Sequence, residues 1–302
     1  MDVLQVLGTL GGAARREELL AAGVSPKQLR VAHAQGRIVR AWAGCYALPD
    51  APRAVLDARI LRGEVTCISA LDALGLPLLT RSGQTHILLP RDRGFALRDA
   101  RVSRGVRLHR SARNGATERI AALPRNLSTP VATSLDVAAR CVEPLEHLVL
   151  VDAAVNRGLI APSAIAAFRV SPRSRREFLA THVDGRSESL LESITRFTLD
   201  GAGLTVEPQV RIAGVGRVDL VVEGSLVVEL DGRAYHADER AFAEDRRRDR
   251  KLAALGYTVL RFTYDDVVKH PERMLAEVLA VLAVIRTGRS ATTLGPWQLL
   301  AP

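Results

Sequence analysis

Residues 217–236 read RVDLVVEGSLVVELDGRAYH, which has the alternation of two neighbouring β-strands. Every second residue of 218–222 and of 226–230 is apolar, so each strand has one continuous apolar face. If residues 223–225 form the loop, counting outward places Asp219 directly across from Glu229, and Asp231 projects from the same face. The stretch therefore predicts a buried hairpin that carries several carboxylates.

The opposed acids of this hairpin predict a metal site. Residues directly opposite each other on antiparallel strands have Cβ atoms roughly 4.5–5.5 Å apart, and like charges there are destabilising. A divalent cation between the carboxylates would reverse the sign of that interaction. Mg²⁺ (or Mn²⁺) takes such oxygen ligands when it also binds substrate phosphates, so we expect Asp219, Glu229 and Asp231 to hold the ion. Asp231 precedes a glycine, however, and Asp-Gly pairs are common in turns, which leaves a purely local role open for this residue.

The composition favours an anionic partner. The chain has 302 residues, enough for about two average domains or for three smaller ones, with 42 basic against 33 acidic residues and a formal net charge of +9. Most of the basic residues are arginines, whose guanidinium groups contact phosphate in a bidentate manner. DNA is therefore the expected partner, although a genome rich in G and C would also favour arginine over lysine.

The cysteines and the N-terminal segment argue against several classes of protein. Cys45, Cys67 and Cys141 are far apart and show no ligand spacing, so we expect neither a disulfide framework nor a zinc site. The first residues contain no basic segment ahead of an apolar one, and no apolar run reaches the ~18 residues of a membrane span. The expectation is a cytoplasmic protein without membrane association.

Residues 1–50 predict a winged helix-turn-helix domain. The pattern indicates two short helices, then a third that begins at the N-cap residue Ser25 with Pro26 in its first turn, and then an alternating hairpin. The side chains expected to contact DNA lie on the third helix and on or near the wing, and they are Lys27, Gln28, Arg30, His33, Arg37 and Arg40. A small helical packing module with ordinary surface arginines would show a similar pattern.

Residues 51–170 predict a mixed α+β region without a catalytic constellation. The expected elements are a helix over 67–74, strands over 85–90 and 105–110, and helices over 134–142, 146–156 and 163–168. His86, His109 and His147 are isolated in the sequence, and isolated histidines are more often structural or surface groups than ligands. Residues 170–186 are polar, basic and interrupted by Pro and Gly, which predicts a domain boundary in this segment.

Residues 187–290 predict a mixed sheet flanked by helices. The expected elements are a helix over 189–199, a strand over 207–212, the hairpin, a helix over 239–255, a strand over 257–262 and a helix over 271–285. The chain as a whole is therefore expected to be of the α/β class, α+β overall, with domains at 1–50, 51–170 and 187–290.

Segments of this last region carry a resemblance to a known family. They read SLLES from 189, RVDL from 217, VVELDGRAYH from 227 and DRRRDRKLAALGYTVLRFT from 245. In this order they resemble a domain family related to the very-short-patch repair endonuclease, within the PD-(D/E)XK nuclease superfamily. The resemblance implies a restriction-endonuclease-like fold in which Asp219 and Glu229 hold the metal and Glu192 reaches the site from its helix. Glu192 also follows Ser189 by three residues, the spacing of a capping box, and could serve only to close the helix start.

The same resemblance implies that Asp231 and His236 border the site, and it identifies one departure from the superfamily. Where the superfamily has a lysine two residues after the second acid, this chain has Asp231, so another group would have to help activate the attacking water. His236 could do this, since the unperturbed pKa of histidine is near neutrality. Arg248 or Lys251 of the following helix could stabilise charge on the scissile phosphate.

A second resemblance concerns the N-terminal part of the chain. Residues 1–50, and more loosely those up to about 170, resemble the abortive-infection type IV antitoxin family, whose winged helix binds operator DNA. The first function implied is a DNA-binding Mg²⁺-dependent endonuclease, and the alternative is an antitoxin-type transcriptional regulator with a degenerate nuclease fold. A nuclease toxin or defence protein is a weaker third possibility. A cognate toxin or a repair or defence protein would then be a partner besides DNA.

Overall fold

The computed structural model describes residues 2–90, 105–111, 129–231 and 239–288. The chain divides into two compact units, 1–154 with 158–181 and 155–157 with 182–302. Each unit combines helices with β-sheet, so the expected α+β class is confirmed. Among the described helices, none has both the length and the apolar character needed to cross a membrane.

The first unit begins with short helices and a small antiparallel sheet. In chain order the elements are α1 (Val3–Thr9), β1 (Ala13–Arg15), α2 (Arg16–Ala21), α3 (Pro26–Ala34), β2 (Val39–Trp42) and β3 (Cys45–Ala47). Helix α3 begins where the sequence predicts, because the Ser25 hydroxyl accepts a hydrogen bond from the backbone N–H of Gln28. The sequence does not predict β1, which pairs with β3 in a sheet of order β1-β3-β2. Leu7 and Leu19 are fully buried between these elements.

The rest of the first unit is a second sheet packed against helices. The elements are α4 (Arg53–Leu61), β4 (Glu64–Val65), α5 (Cys67–Ala73), β5 (Thr85–Pro90), β6 (Val106–Ser111), α6 (Val131–Ala138), α7 (Pro144–Asn156), a 3₁₀ turn (Pro162–Ala167) and α8 (Arg173–His182). Strand β5 pairs antiparallel with β4 and parallel with β6. The sequence predicts α5, β5, β6 and α7 nearly as observed, and it does not predict α4 or β4.

Helix α8 lies in the segment where the sequence predicts a domain boundary. Leu179 is its one buried residue, so the segment has no apolar stripe that would indicate a helix. Arginines hold it instead: Arg175 donates to the carbonyl oxygen of Val142 at 3.2 Å, and Arg176 donates to that of Phe168 at 3.0 Å. The division between the two units does fall in this segment, at 181–182. The sequence does not predict this helix, because these tertiary contacts leave no trace in the local pattern.

The second unit is built on one mixed sheet. Its elements are α9 (Leu190–Gly201), β7 (Val206–Ile212), β8 (Gly216–Val222), β9 (Leu226–Asp231), α10 (Glu239–Ala254), β10 (Thr258–Thr263), a π-helical turn (Asp265–Lys269) and α11 (Pro271–Arg286). The described strands run in the order β10-β9-β8-β7. Strand β9 is antiparallel to β8 and parallel to β10. The sheet is therefore mixed, as the sequence predicts.

The hairpin of β8 and β9 has the predicted register. Val222 pairs with Leu226 across the loop of residues 223–225. Leu220 and Leu226 are fully buried. On the opposite face Val227 is also fully buried and packs with Leu252 of α10. Both faces of the hairpin are thus apolar up to the point where the acidic residues begin. The acids therefore lie at the border of the hydrophobic core.

Candidate active site on the C-terminal sheet

The predicted acid pair lies together in the structure. Regular pairing of β8 with β9 continues to Leu220↔Val228, and one further step of that register brings Asp219 opposite Glu229. The charge of Asp219 is one cause of the raised pKa of Glu229, so the two carboxyl groups interact electrostatically. The backbone N–H of Leu230 donates to Asp219 Oδ2 at 2.8 Å. This N–H therefore bonds to a side chain and not to a backbone carbonyl oxygen of the neighbouring strand. The acids therefore sit where the two strands stop pairing in the regular way.

The charges of this pair are compensated without a metal ion. Burial and then the neighbouring Asp219 raise the pKa of Glu229 to about 7, while Arg248 and Arg261 oppose the shift. Burial also raises the pKa of Asp219, against the hydrogen bond from Leu230 and the charge of Arg248. Near neutral pH Glu229 therefore keeps its proton part of the time, which lowers the negative charge of the pair. The expectation that only a divalent ion can offset the repulsion between these two carboxylates is therefore wrong, because a proton and an arginine also offset it.

Arg248 of α10 is brought to the acid pair. Its Nη2 lies 2.8 Å from Glu229 Oε1, and the same nitrogen donates to the carbonyl oxygen of Arg217. Its Nε is buried and has no hydrogen-bond partner among the described residues. Lys251, one turn further along the helix, donates instead to the carbonyl oxygen of Gly214 in the turn between β7 and β8. Of the two predicted basic residues, the structure places Arg248 at the acids and directs Lys251 to that turn.

Glu192 reaches the site from α9 and also closes the start of that helix. Ser189 is the N-cap, and its hydroxyl accepts from the backbone N–H of Glu192 at 3.2 Å. Glu192 Oε2 accepts from the backbone N–H of Glu188 at 3.0 Å and from Gln209 Nε2 at 2.8 Å. The residue is 4% exposed, and burial raises its pKa, with a smaller contribution from the charge of Asp219. The local and the functional interpretations of Glu192 are therefore compatible.

Gln209 is a site residue that the sequence does not indicate. Strands β7 and β8 pair Pro208 with Leu220 and Val210 with Val218, so Gln209 lies across from Asp219 on the side away from Glu229. Its φ of 58° is in the left-handed region, which is uncommon for a residue other than glycine. Its Oε1 is buried and has no hydrogen-bond partner among the described residues. An unpartnered buried oxygen beside a carboxylate is free to bind water or a cation.

The remaining predicted residues are less closely tied to the pair. Asp231 ends β9, where it pairs with Thr263 of β10, and its charge contributes to the raised pKa of Glu229. Among the described residues, Asp219 and Glu229 do not form a group with a third His, Cys, Asp or Glu in which all ligand atoms lie within 4.8 Å of one another. The three-carboxylate ligand set with Asp231 stays a prediction. His236 lies outside the described residues.

The donor set fits a hard divalent cation. Asp219 and Glu229 offer carboxylate oxygens, and Gln209 offers an amide oxygen that is not otherwise used. Mg²⁺ and Mn²⁺ prefer oxygen ligands and accept water and phosphate oxygens for the rest of the shell. The half-buried position of Asp219 leaves room for such outer ligands. An ion there would compete with the proton of Glu229 and with Arg248 for the same oxygens.

The predicted DNA-contacting side chains of the first unit are all exposed, and they differ in how they are engaged. Gln28 Oε1 accepts from the backbone N–H of Ser25 at 2.7 Å, His33 Nδ1 lies 3.2 Å from the carbonyl oxygen of Ile38, and Arg37 lies 3.5 Å from Asp2. The described structure gives no ion pair for the other basic side chains of this set, which are Lys27, Arg30 and Arg40. Half of the set thus has a structural role, and the other half presents charge to solvent.

A family model matches the part of the chain that contains the candidate C-terminal site. The restriction-endonuclease-like family model REase_MTES_1575 matches residues 192–282, a range that begins at Glu192 and includes the acid pair and Arg248. The uncharacterized protein Rv2248 of Mycobacterium tuberculosis is 31% identical over 268 residues, which cover 83% of this chain and 95% of that protein. An uncharacterized protein of Haemophilus influenzae is 34% identical over 62 residues, 20% of this chain and 50% of that protein.

A solved structure is also similar over part of the chain. The crystal structure of the RV2827C protein from Mycobacterium tuberculosis shares 16% sequence identity and covers 66% of this chain and 76% of its own. Its TM-score is 0.31, which is too low to support a common fold.

Proposed function

Because the chain belongs to the family of the uncharacterized mycobacterial protein Rv2248 and carries a restriction-endonuclease-like C-terminal domain, we propose that it is a Mg²⁺- or Mn²⁺-dependent DNA endonuclease. The observation that carries the proposal is the placement of Asp219 and Glu229 on adjacent strands, at the end of an otherwise apolar hairpin. No contact within the described fold needs an acidic residue at both of these positions. A shared metal ion is the chemistry that uses both.

The side chains around the pair support hydrolysis of a phosphodiester. When bound, the metal would polarise the phosphoryl group and lower the pKa of a water molecule. Asp219 and Glu229 would bind it, and the hydrogen bond from Gln209 Nε2 to Glu192 would fix the amide of Gln209, whose Oε1 has no partner among the described residues. Arg248, once its contact with Glu229 is replaced, would lie beside the scissile phosphate and stabilise its developing charge.

The proton acceptor for the attacking water would be a group other than the lysine of the superfamily. Asp231 stands where the superfamily has lysine, and a carboxylate there cannot donate to or orient the water as an ammonium would. His236 remains the candidate in the sequence, outside the described residues. The endonuclease proposal therefore depends on a group beyond the acid pair.

The first unit would deliver DNA to this site. Its order of elements, α1-β1-α2-α3-β2-β3 with sheet order β1-β3-β2, supports a winged helix-turn-helix. Lys27 and Arg30 on α3 and Arg40 on β2 are exposed cations placed as phosphate contacts of such a domain would be. The predicted engagement of DNA by these residues supports the endonuclease and the regulator equally.

A regulator with an inactive nuclease fold is the second candidate. Asp231 in place of lysine and the ion pair of Arg248 with Glu229 both favour it, because a cation already occupies one of the acids. The two candidates make opposite predictions for metal binding. In an inactive fold Arg248 can stay paired with Glu229, and no metal ion needs to replace it.

A plasmid-cleavage assay distinguishes these candidates. Supercoiled DNA is incubated with Mg²⁺ or Mn²⁺ and wild type, Asp219→Asn or Glu229→Gln, with Glu207→Gln as the control because Glu207 is an exposed acid of the same sheet. We expect the rate of each site variant to fall about 10³-fold, which corresponds to an activation barrier about 4 kcal/mol higher, and the control to keep its rate. Equal cleavage by all the proteins would show contamination and contradict the proposal, and no cleavage by wild type would favour the regulator.

A further inference from the structure

Four potential metal ligands of the first unit converge although they are scattered in the sequence. They are Cys67, His86, His109 and Cys141, and their ligand atoms all lie within 4.8 Å of one another. Cys67 begins α5, His86 and His109 lie on the neighbouring strands β5 and β6, and Cys141 follows α6. The sequence predicts no zinc site because consecutive members are tens of residues apart, 23 between the histidines and 32 between His109 and Cys141. The fold overturns that expectation about the arrangement of these residues.

The distances within the cluster match tetrahedral coordination. His86 Nδ1 lies 3.1 Å from His109 Nε2, and Cys141 Sγ lies 3.8 Å from the same nitrogen of His109. Zinc bonds of about 2.0–2.1 Å to nitrogen and about 2.3 Å to sulfur at tetrahedral angles place two nitrogens about 3.3 Å apart and a nitrogen and a sulfur about 3.6 Å apart. The observed separations therefore already suit one ion at the centre.

The surroundings of the cluster resemble those of a protein metal site. Cys67, His86 and His109 are buried, and Cys141 is half-buried. The second ring nitrogen of His86, Nε2, lies 3.3 Å from Ser82 Oγ, an outer contact of the kind that orients a metal-bound imidazole. The two imidazole rings are stacked with their centroids 5.2 Å apart, so their positions are defined by packing as well as by this contact.

Two further features favour a ligand role over chance proximity. Cys67 has a φ of 55°, an uncommon value for a residue with a side chain, and strained positions are found where a side chain must be held in a particular direction. A cavity of about 170 Å³ is lined by His86 and Cys141 among other residues and gives an ion a path to the cluster. If Cys67 and Cys141 only formed a disulfide, two histidines would not be needed beside them.

We propose that Cys67, His86, His109 and Cys141 bind one zinc ion in a closed, structural Cys₂His₂ site. Two thiolates and two imidazoles are soft and borderline ligands, which select Zn²⁺ and disfavour Mg²⁺ or Ca²⁺. Four protein ligands fill a tetrahedral shell and leave no position for substrate, so the ion stabilises and does not catalyse. It joins the β5-β6 strand pair to the start of α5 and the end of α6.

The first test is the metal content of the full-length protein purified without chelator. Mass spectrometry of the metal should find close to one zinc ion per chain. Cys141→Ala and His109→Ala should reduce the zinc content to background, whereas Cys45→Ala, which removes another buried cysteine of the same unit, should keep it. Asp219→Asn should keep it as well, so failure of the zinc site and failure of the proposed nuclease are separate results. Absence of zinc from wild type, or full retention by both ligand variants, would overturn the proposal.

A second measurement on wild type remains decisive even if the ligand variants do not fold. Zinc is removed from the native protein, and Co²⁺ is added. We expect the strong visible absorption of tetrahedral Co²⁺ with a thiolate charge-transfer band in the near ultraviolet, and its loss on addition of Zn²⁺. The weak spectrum of octahedral Co²⁺, or a disulfide between Cys67 and Cys141 in the native protein as purified, would overturn the proposal.

Discussion

The acid pair of the C-terminal sheet and the cysteine–histidine cluster of the first unit are both groups of potential metal ligands, yet they differ in how the chain assembles them. Asp219 and Glu229 belong to adjacent strands of one hairpin, so the register alone brings them together. Cys67, His86 and Cys141 come from separate elements that meet only after the helices have packed on their sheet. A local site can therefore be read from spacing, and a dispersed one cannot.

The two sites also differ in chemistry in a way that suits different roles. The acid pair offers hard oxygen ligands, and at Glu229 both Arg248 and a proton are alternatives to an ion, so occupancy by an ion can change. The cluster offers soft ligands that together complete a shell. One arrangement suits an ion that exchanges and meets substrate, and the other suits an ion that stays in place.

The largest effect in this comparison is expected from the core of the hairpin. Leu226 is fully buried, so Leu226→Ala should lower the free energy of unfolding of the second unit by about 2–5 kcal/mol. Zinc bound to the first unit should be retained at neutral pH. The control is Leu255→Ala, which removes a side chain that is 55% exposed and should change stability by less than about 0.5 kcal/mol. Urea unfolding followed by circular dichroism and metal analysis measures both, and equal losses in the two variants would contradict the packing described.

The pH dependence of metal binding sharpens the comparison further. Glu229 must lose its proton to bind an ion, and its pKa is raised to about 7. The apparent affinity for Mn²⁺ should therefore fall up to about tenfold for each pH unit below 7 and level off above it. Titrations at several pH values test this, with Glu207→Gln as a control that should keep the slope. A slope unchanged in Glu229→Gln would show that Glu229 is not the titrating group.

The same pKa predicts how stability changes with pH when no ion is bound. The folded-state pKa of Glu229 lies above the ordinary value of 4.5, so its contribution to stability is fully present below about pH 4.5 and is lost as pH rises through about 7. Glu229→Gln removes this penalty. At pH 8 the metal-free variant should therefore be more stable than wild type by about 1–2 kcal/mol, after allowance for partial exposure of the site. A less stable variant at that pH would contradict the burial assigned to this carboxyl group.

The smallest effect is expected from single phosphate contacts of the first unit. Arg30→Ala removes an exposed cation of α3 and should weaken DNA binding by a few fold at all sequences, with the salt dependence reduced by about one phosphate contact. The zinc content and the Mn²⁺ affinity should stay at wild-type values. Arg81→Ala, at an exposed position outside α3 and the wing, is the matched control. Equal DNA affinity of both variants and wild type would remove α3 from the DNA-binding surface.

Sequence alone predicted the parts of the molecule in which alternation or capping is local. The β8-β9 register, the pairing of Asp219 with Glu229 and the start of α3 at Ser25 all follow from such patterns. It did not predict α8, whose arginines bind distant carbonyl oxygens in place of an apolar stripe. It also gave no indication of Gln209, because a glutamine in a strand has the pattern of an ordinary outward-facing polar residue.

What the amino-acid sequence determined by itself is the α+β class and the hairpin that holds the acid pair, since period-two alternation fixes which side chains share a face. What only the tertiary structure decided is the setting of these groups. Packing of α10 on the sheet brings Arg248 to Glu229, and packing of α5 and α6 around β5 and β6 brings two cysteines to two histidines. Contacts between residues far apart in the chain depend on how whole elements pack, and no local spacing encodes that.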